Sequence, residues 1–235
     1  MFNPLQLAKE VESIVCKNLK RKYYRFRPAK FYGGIVTADC VGCCLRCIFC
    51  WAWNVVNKPN KIGKFYSPEE VVGRILKISK KYNLRQVRIS GNEPTLGKEH
   101  LIKVLELLKN SNLTFILETN GILLGYDYDF VKELSKFKDM IHVRVSLKGC
   151  NEEEFSRLTG AIPEGFKLQL QALRNLVKEK IPCHPSVMIS FSRPEAISNL
   201  RERLEIIDSR FYDFEEEELM FYGNVKERLK NANLI

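Results

Sequence analysis

Gly42-Cys43-Cys44-Leu45-Arg46-Cys47-Ile48-Phe49-Cys50 places four of the chain's eight cysteines within nine residues. Cys43, Cys47 and Cys50 stand four and three apart, and Cys40, Cys44 and Cys47 repeat that spacing three residues earlier. A secreted chain would use such residues for disulfides. Here Met1 to Glu10 lacks the charged-then-apolar order of an export signal, so the cytoplasm is expected, and a cluster of thiols in a reducing compartment points to metal or catalysis. Three thiolates on one short loop can hold three irons of a [4Fe–4S] cube and leave the fourth open to a small chelating molecule. Zinc is the alternative, with Cys40 or Cys44 completing a tetrahedral set. Cys16, Cys150 and Cys183 are scattered and read as small buried hydrophobes.

Outward from this loop the hydrophobic period alternates. Leu7, Val11, Ile14 and Val15 make a helical stripe, and Gly34 to Ala38 a short strand running into the cysteines. Ser67-Pro68-Glu69-Glu70 is a helix start, with a capping box and a proline at the first helical position. Further strands are expected at Gln86 to Ser90, Thr114 to Leu117, Ile141 to Val145, Pro185 to Phe191 and Leu219 to Tyr222. Helices carrying Leu101, Val104, Leu105 and Leu108, then Tyr128 to Phe137, Asn151 to Leu158, and Phe166, Leu170, Leu173 and Val177 fall between them. Ser192 and Glu195 box a last helix of this series, with Ile197, Leu200, Leu204 and Ile207. Six strands alternating with helices imply a parallel sheet of right-handed βαβ units, with chemistry at the strands' carboxyl ends.

The chain is long enough for one substantial core, being 235 residues and 45% hydrophobic. No apolar run approaches the roughly 18 residues of a membrane span, so a membrane partner is not expected. The formal charge of +10 is uneven: Lys17, Lys20, Arg21, Lys22, Arg25, Arg27 and Lys30 lie together with no acidic residue among them. Tyr23, Tyr24, Phe26, Phe31 and Tyr32 interleave with them. Such a segment either binds phosphates and bases or is a solvated N-terminal arm whose aromatics pin it to the wall, and a single basic stretch favours the arm. Glu215 to Glu218 reads as solvent-facing, and His100, His142 and His184 as isolated, with no acid–base pairing. The bias toward Lys, Glu and Ile is a hint of a thermophile and no more.

Three more motifs fall at strand ends: Ser90-Gly91-Asn92-Glu93-Pro94-Thr95, Glu118-Thr119-Asn120-Gly121 and Ser146-Leu147-Lys148-Gly149. With the cysteine loop, and over roughly Phe31 to Phe191, they resemble the radical SAM superfamily, in particular the glycyl-radical enzyme activating enzymes typified by pyruvate formate-lyase activating enzyme. The family's C-x-x-x-C-x-Φ-C motif, with Φ aromatic, selects Cys43, Cys47 and Cys50, because Phe49 fits the aromatic position and Arg46 does not. Cys40 and Cys44 are left over. The resemblance implies that Phe49 packs near the adenine of S-adenosylmethionine (SAM). Gly91, Asn92, Glu93 and Pro94 match the Gly-Gly-Glu-Pro-like element that holds its amino group. Asn92 replaces the usual second glycine, and asparagine tolerates left-handed torsions. Glu118, Thr119 and Asn120 match an acidic-Thr-Asn-Gly element whose first two positions help bind a monovalent cation beside the SAM carboxylate, with Glu118 in place of the commoner Asp. Ser146 and Lys148 align with an Asp-Leu-Lys element whose lysine lies near SAM; Lys148 matches and Ser146 departs.

The implied fold is α/β, a partial (β/α)6 barrel of the radical SAM type with an N-terminal helix. The expected organisation is one domain over 1–235, with helix and basic arm at 1–33, barrel at 34–222 and C-terminal helix at 223–235. The implied activity is reductive cleavage of SAM by a [4Fe–4S] cluster to a 5′-deoxyadenosyl radical, which takes a hydrogen atom from a backbone glycine of a glycyl-radical enzyme. A low-potential donor such as ferredoxin or flavodoxin would supply the electron. Against the activase level stand the absence of the Asp-Gly-Pro-Gly element that many activases carry before the cysteines and of a ferredoxin-like insert. The basic, aromatic segment keeps open a radical SAM enzyme acting on RNA or a phosphorylated small molecule. A non-enzymatic zinc or iron–sulfur protein is the third reading.

Overall fold

Two side-chain periods set the architecture. Residues alternating apolar and polar build strands, and stripes at helical spacing cover one face of them. The computed structural model describes residues 1–235. In chain order the elements are α1 (Pro4–Val15), β1 (Cys16–Lys17), β2 (Lys20–Ala29), β3 (Ile35–Cys40), α2 (Trp53–Val56), β4 (Lys64–Tyr66), α3 (Pro68–Tyr82), β5 (Gln86–Ser90), α4 (Lys98–Leu108), β6 (Thr114–Thr119), α5 (Ile122–Tyr126), α6 (Tyr128–Ser135), β7 (Ile141–Leu147), α7 (Glu152–Thr159), α8 (Glu164–Lys178), β8 (Cys183–Met188), α9 (Pro194–Glu205), β9 (Glu215–Glu217) and α10 (Val225–Asn231). Strands β3, β5, β6, β7, β8 and β9 lie in parallel in that order. Strand β2 joins β3 antiparallel, and β1 and β4 pair with β2. The sheet does not close, which is the expected partial (β/α)6 barrel. No helix is long and apolar enough to cross a membrane.

The alternation sorts the strands' residues between two faces. Val87, Ile89, Phe115, Leu117, Val143, Val145 and Val187 are buried beneath the helical layer. Arg88, Glu118, His142, Arg144, Ser146 and His184 occupy the intervening positions, so the concave face is polar. Helix α3 begins as its sequence requires: Ser67 Oγ accepts the Glu70 N–H at 3.3 Å, and Glu70 accepts the Ser67 N–H at 2.7 Å.

Four expectations are corrected. The basic segment is not a solvated arm but β2, a ten-residue strand with Arg21 and Tyr23 fully buried. Its charges are absorbed locally: Lys22 Nζ donates to the Pro59 and Asn60 carbonyls at 2.8 and 3.2 Å, and Arg25 and Arg27 reach Asp39 at 2.6 and 3.3 Å. Its aromatics do pin it, Tyr23 stacking on Phe26 at 5.4 Å. Next, the sixth parallel strand is Glu215–Glu217 rather than Leu219 to Tyr222, where Met220, Phe221 and Tyr222 are more than half exposed. Three glutamates have no strand preference of their own. Arg144 draws Glu215 and Glu217 in, each at 2.7 Å, while Arg201 takes Glu216 at 2.7 Å. Third, Ser192 does not cap α9; its hydroxyl goes to Glu154, a carboxylate only 8% exposed that needs the donor more. Last, the buried stripe of α1 is Pro4, Ala8, Val11 and Val15, leaving Leu7 half-buried and Ile14 exposed.

Strand β9 thus depends on Arg144. Arg144→Gln is expected to lower stability by about 2 kcal/mol, because it leaves the glutamates without their counter-charge. Hydrogen bonding to Arg144 holds the Glu215 carboxyl at about 2, against its ordinary 4.5. Its stabilisation is complete above 4.5 and is lost as pH falls toward 2. Urea denaturation of wild type and Arg144→Gln should therefore show a constant gap from pH 7 to about 5 that narrows below it.

Candidate active site

The cysteine loop leaves the carboxyl end of β3 and is held from three sides. Gly42 opens it at φ +95°, a torsion suited to glycine, and a Cβ there would come within 2.7 Å of Val11 on α1. The Thr159 and Leu158 carbonyls accept the N–H groups of Arg46 and Ile48 at 3.2 and 2.9 Å. From α10, Arg228 donates to the carbonyls of Ile48 and Cys50 at 2.9 and 2.7 Å.

Burial separates the five cysteines of this region. Cys40 and Cys44 are 0% exposed, whereas Cys43, Cys47 and Cys50 retain access to solvent. Burial pushes the Cys40 thiol up to about 12, and Cys40 packs within the hydrophobic core. The Cys44 thiol donates to Asn120 Oδ1 at 3.8 Å, and its closeness to Cys43 pulls the Cys43 thiol below its ordinary value. Burial pushes Cys50 up to about 11 and raises Cys47 as well. No three Cys, His, Asp or Glu side chains converge at metal-binding distance, so ligation requires side-chain rotation within the loop. The donor set nonetheless fits: three accessible soft thiolates from one loop are the ligands a [4Fe–4S] cluster takes. Cys43, Cys47 and Cys50 would hold it, and Arg46, in the alternative register's aromatic position, instead folds back onto the Cys43 and Leu45 carbonyls at 2.8 and 2.9 Å.

Glu93 sits immediately behind the loop. Its side chain, 2% exposed, accepts from Thr95 N–H and Oγ1 at 3.2 and 2.7 Å, from Thr119 Oγ1 at 2.7 Å and from Asn120 N–H at 2.7 Å. The carboxylate expected to meet the SAM amino group is therefore occupied in joining the ends of β5 and β6. Asn92 is not in the left-handed region; Gly91 is, at φ +95°, with Asp39 so close that a Cβ would lie 2.9 Å away. Asn92 Oδ1 accepts the Gly42 N–H at 2.7 Å, coupling this turn to the cysteine loop. Asn120 turns its amide toward the sulfurs of Cys44 and Cys43, at 3.3 and 3.6 Å.

Glu118 and Thr119 are not brought together. Thr119 faces Glu93, while Glu118 lies on the concave face with Arg88 at 2.5 Å, Ser90 at 2.7 Å and Tyr32 at 2.8 Å. The pair offers no shared side-chain cation site. Ser146, Lys148 and Phe49 do converge: Lys148 Nζ donates to Ser146 Oγ and lies 5.9 Å from the Phe49 ring centre. Phe49 also stacks on Phe191 at 5.7 Å. Pro94, buried, follows the β5 turn.

Several site-building residues escaped the sequence reading. Gln169 on α8, 0% exposed, donates to the carbonyls of Asn120 and Ser146 at 2.6 and 3.1 Å and accepts the Lys148 N–H at 3.2 Å. A glutamine beside Phe166 and Leu170 on a buried stripe was the available signal. Glu217, read as solvent-facing, bonds Ser146 at 3.1 Å and lies 3.8 Å from Lys148. The histidines are not isolated: His142 Nε2 and His184 Nδ1 are 2.6 Å apart, and His184 Nε2 donates to Glu215 at 2.9 Å. His100 accepts from Tyr23 at 2.9 Å and donates to the Leu19 carbonyl at 2.7 Å, and burial pushes it down to about 4. Its role is structural.

Two predictions follow from this geometry. Cys43→Ala, Cys47→Ala and Cys50→Ala should each abolish the cluster, read as iron content and visible absorbance after anaerobic reconstitution, whereas Cys40→Ala and Cys44→Ala should keep most of their iron; a Cys40 variant as depleted as the Cys50 variant contradicts the register. Glu93→Gln turns an amide NH2 toward the Asn120 or threonine donors, so SAM affinity should fall about tenfold or more, roughly 1.4 kcal/mol, with iron retained. Equal SAM affinity by equilibrium dialysis would remove Glu93 from the site.

The family model described as the radical SAM superfamily matches residues 39–204. Among curated proteins, a Methanococcus vannielii protein named as a GTP 3′,8-cyclase is 32% identical over 126 residues, 53% of this chain and 39% of its own length. A Methanocaldococcus jannaschii protein named as a glycyl-radical enzyme activating enzyme is 28% identical over 124 residues, 53% of this chain and 43% of its own. The chain thus spans about two-fifths of the curated relatives it matches. Among solved structures, Streptococcus suis SuiB bound to S-adenosylmethionine superposes with a TM-score of 0.59 at 17% identity, over 82% of this chain and 45% of that one. That likeness establishes the fold. The cofactors are those of the family, a [4Fe–4S] cluster and SAM. The model covers the three strand-end motifs and, but for Cys16, every cysteine, and on that match the chain belongs to the radical SAM superfamily.

Proposed function

We propose that this radical SAM enzyme abstracts a hydrogen atom from a polypeptide segment, the reaction of a glycyl-radical enzyme activating enzyme. The observation that carries the reading is the charge balance of the open concave face. Arg25 and Arg27 are paired with Asp39, Arg88 with Glu118, and Arg144 with Glu215 and Glu217. A nucleoside triphosphate brings several negative charges and would have to displace these carboxylates, at the cost of leaving half-buried charges unpaired. A peptide loop carries no net charge in its backbone, and its N–H and C=O groups can bond to paired side chains without separating them. The open edge between β9 and the β2 side of the sheet admits a segment presented by a partner.

The bound cofactors supply the homolytic chemistry. The chain's own part is to hold them and exclude water: the cysteine loop for the cluster, the Gly91-Asn92-Glu93-Pro94 turn and Lys148 for SAM, and the Phe49–Phe191 stack as an apolar cover. A second reading, cyclisation of GTP, is favoured by the names of several relatives, which match about half of this chain, as does the relative named as an activating enzyme.

The anaerobically reduced protein, given SAM and a glycyl-radical enzyme from the same source, is expected to produce a doublet glycyl radical signal by electron paramagnetic resonance. SAM cleavage stimulated by GTP, with no protein radical in the candidate partner, would assign the cyclase chemistry instead.

A further inference from the structure

Arg228 reaches the cysteine loop from 178 positions beyond Cys50. Helix α10 holds it there by burying Val225 and Leu229, both 0% exposed, while Lys226, Glu227 and Lys230 face solvent. Arg228 Nε donates to the Ile48 carbonyl at 2.9 Å and Nη2 to the Cys50 carbonyl at 2.7 Å. The guanidinium lies 4.6 Å from the centre of the Trp53 ring, which fixes its plane and shields one face from water. Both hydrogen bonds end on carbonyls and neither on a carboxylate. The arginines of the concave face differ: Arg88 is matched with Glu118, and Arg144 with Glu215 and Glu217. From Cys40 to Tyr66 the chain has no acidic residue at all. Glu227 lines the same cavity as Arg228, between α2 and α10, without pairing with it.

We propose that Arg228 is a positioning residue that sets the reduction potential of the cluster, its uncompensated charge easing electron uptake. The inference rests on Cys43, Cys47 and Cys50 as the ligands and is independent of the substrate. A guanidinium is charged at any working pH. Leaving it half-buried without a counter-ion is costly, and the loop supplies that counter-ion once its three cysteines are thiolates. Each electron added to such a site brings one more negative charge, so a fixed cation beside it favours the reduced form. Iron–sulfur potentials follow net charge, hydrogen bonding and exposure, all of which act at this position. Hydrogen bonding to Ile48 and Cys50 also offsets the negative ends of two peptide dipoles next to a ligand. A clamp on the loop would need only donors, which a neutral side chain can provide; the missing carboxylate is what points to the charge.

The test is a redox titration of the anaerobically reconstituted holoprotein, followed by electron paramagnetic resonance of the reduced cluster without SAM or substrate. Arg228→Gln keeps a donor and removes the charge. Its reduction equilibrium should move about tenfold against the reduced form, which for one electron is a potential lower by about 59 mV. Arg228→Lys keeps the charge and loses the fork, and its equilibrium should stay within about threefold of wild type. Both variants should keep wild-type iron content. Equal potentials in wild type and Arg228→Gln would overturn the proposal. So would a Lys variant that shifts as far as the Gln variant, since the hydrogen bonds would then set the potential. An Arg228→Gln chain that takes up no iron would overturn it too, making Arg228 a clamp. A wild-type chain without iron would instead overturn the ligand assignment beneath it.

Discussion

The buried Glu93 carboxylate is the interaction on which the site depends. Four donors from Thr95, Thr119 and Asn120 converge on it, and its backbone extends the same junction in two further directions. The Glu93 N–H donates to the Gly42 carbonyl at 2.9 Å, and its own carbonyl accepts from Arg21 of β2 at 3.0 Å. One residue thus fixes the ends of β5 and β6, the start of the cysteine loop and strand β2 relative to one another. A carboxylate out of water is tolerated only where protein donors replace the solvent, so the loss of any one partner is felt by the others. Arg21 is less well served: its Nε and Nη1 are buried without hydrogen-bond partners. Gly97 leaves the space it occupies, since a Cβ there would be 2.8 Å from Arg21 Cδ.

With that junction fixed, the strands divide the labour. Their apolar positions pack under the helices, and their polar positions line the concave face with ion pairs. Arg88–Glu118 joins the neighbouring β5 and β6, and Arg144–Glu215–Glu217 reaches from β7 past β8 to β9, where the backbone ladder alone would leave a short edge strand weak. Gln169 performs the matching task at the carboxyl ends, holding β6 and β7 in fixed relation to the helix behind them.

The cysteine loop has two sides with different chemistry. Inward it meets Asn120 and the turn of Gly91 and Asn92; on another side it meets Arg228. Helix α10 comes from the far end of the chain yet bonds directly to the loop's carbonyls.

The sequence by itself determined the parallel α/β order, the boundaries of β5, the capping of α3 and the three cysteines that the family motif selects. Those features are local: they depend on period, on caps and on residues a few positions apart, which one stretch of chain can encode. Only the tertiary structure decided which polar residues are free to act. Glu93 and Glu118, the two acidic residues singled out for cofactor and cation, are engaged by Thr119 and by Arg88, each reached from another strand or strand end. The basic segment became a buried-edge strand because Asp39 and two carbonyls of the β4 approach neutralise it. Glu215 to Glu217 became a strand because Arg144 and Arg201 wait beside β8. His142 and His184 became a pair because β7 and β8 lie next to each other. In each case the deciding partner lies more than ten residues away in the chain, and charge pairing, unlike hydrophobic period, leaves no trace in the spacing of the residues it joins.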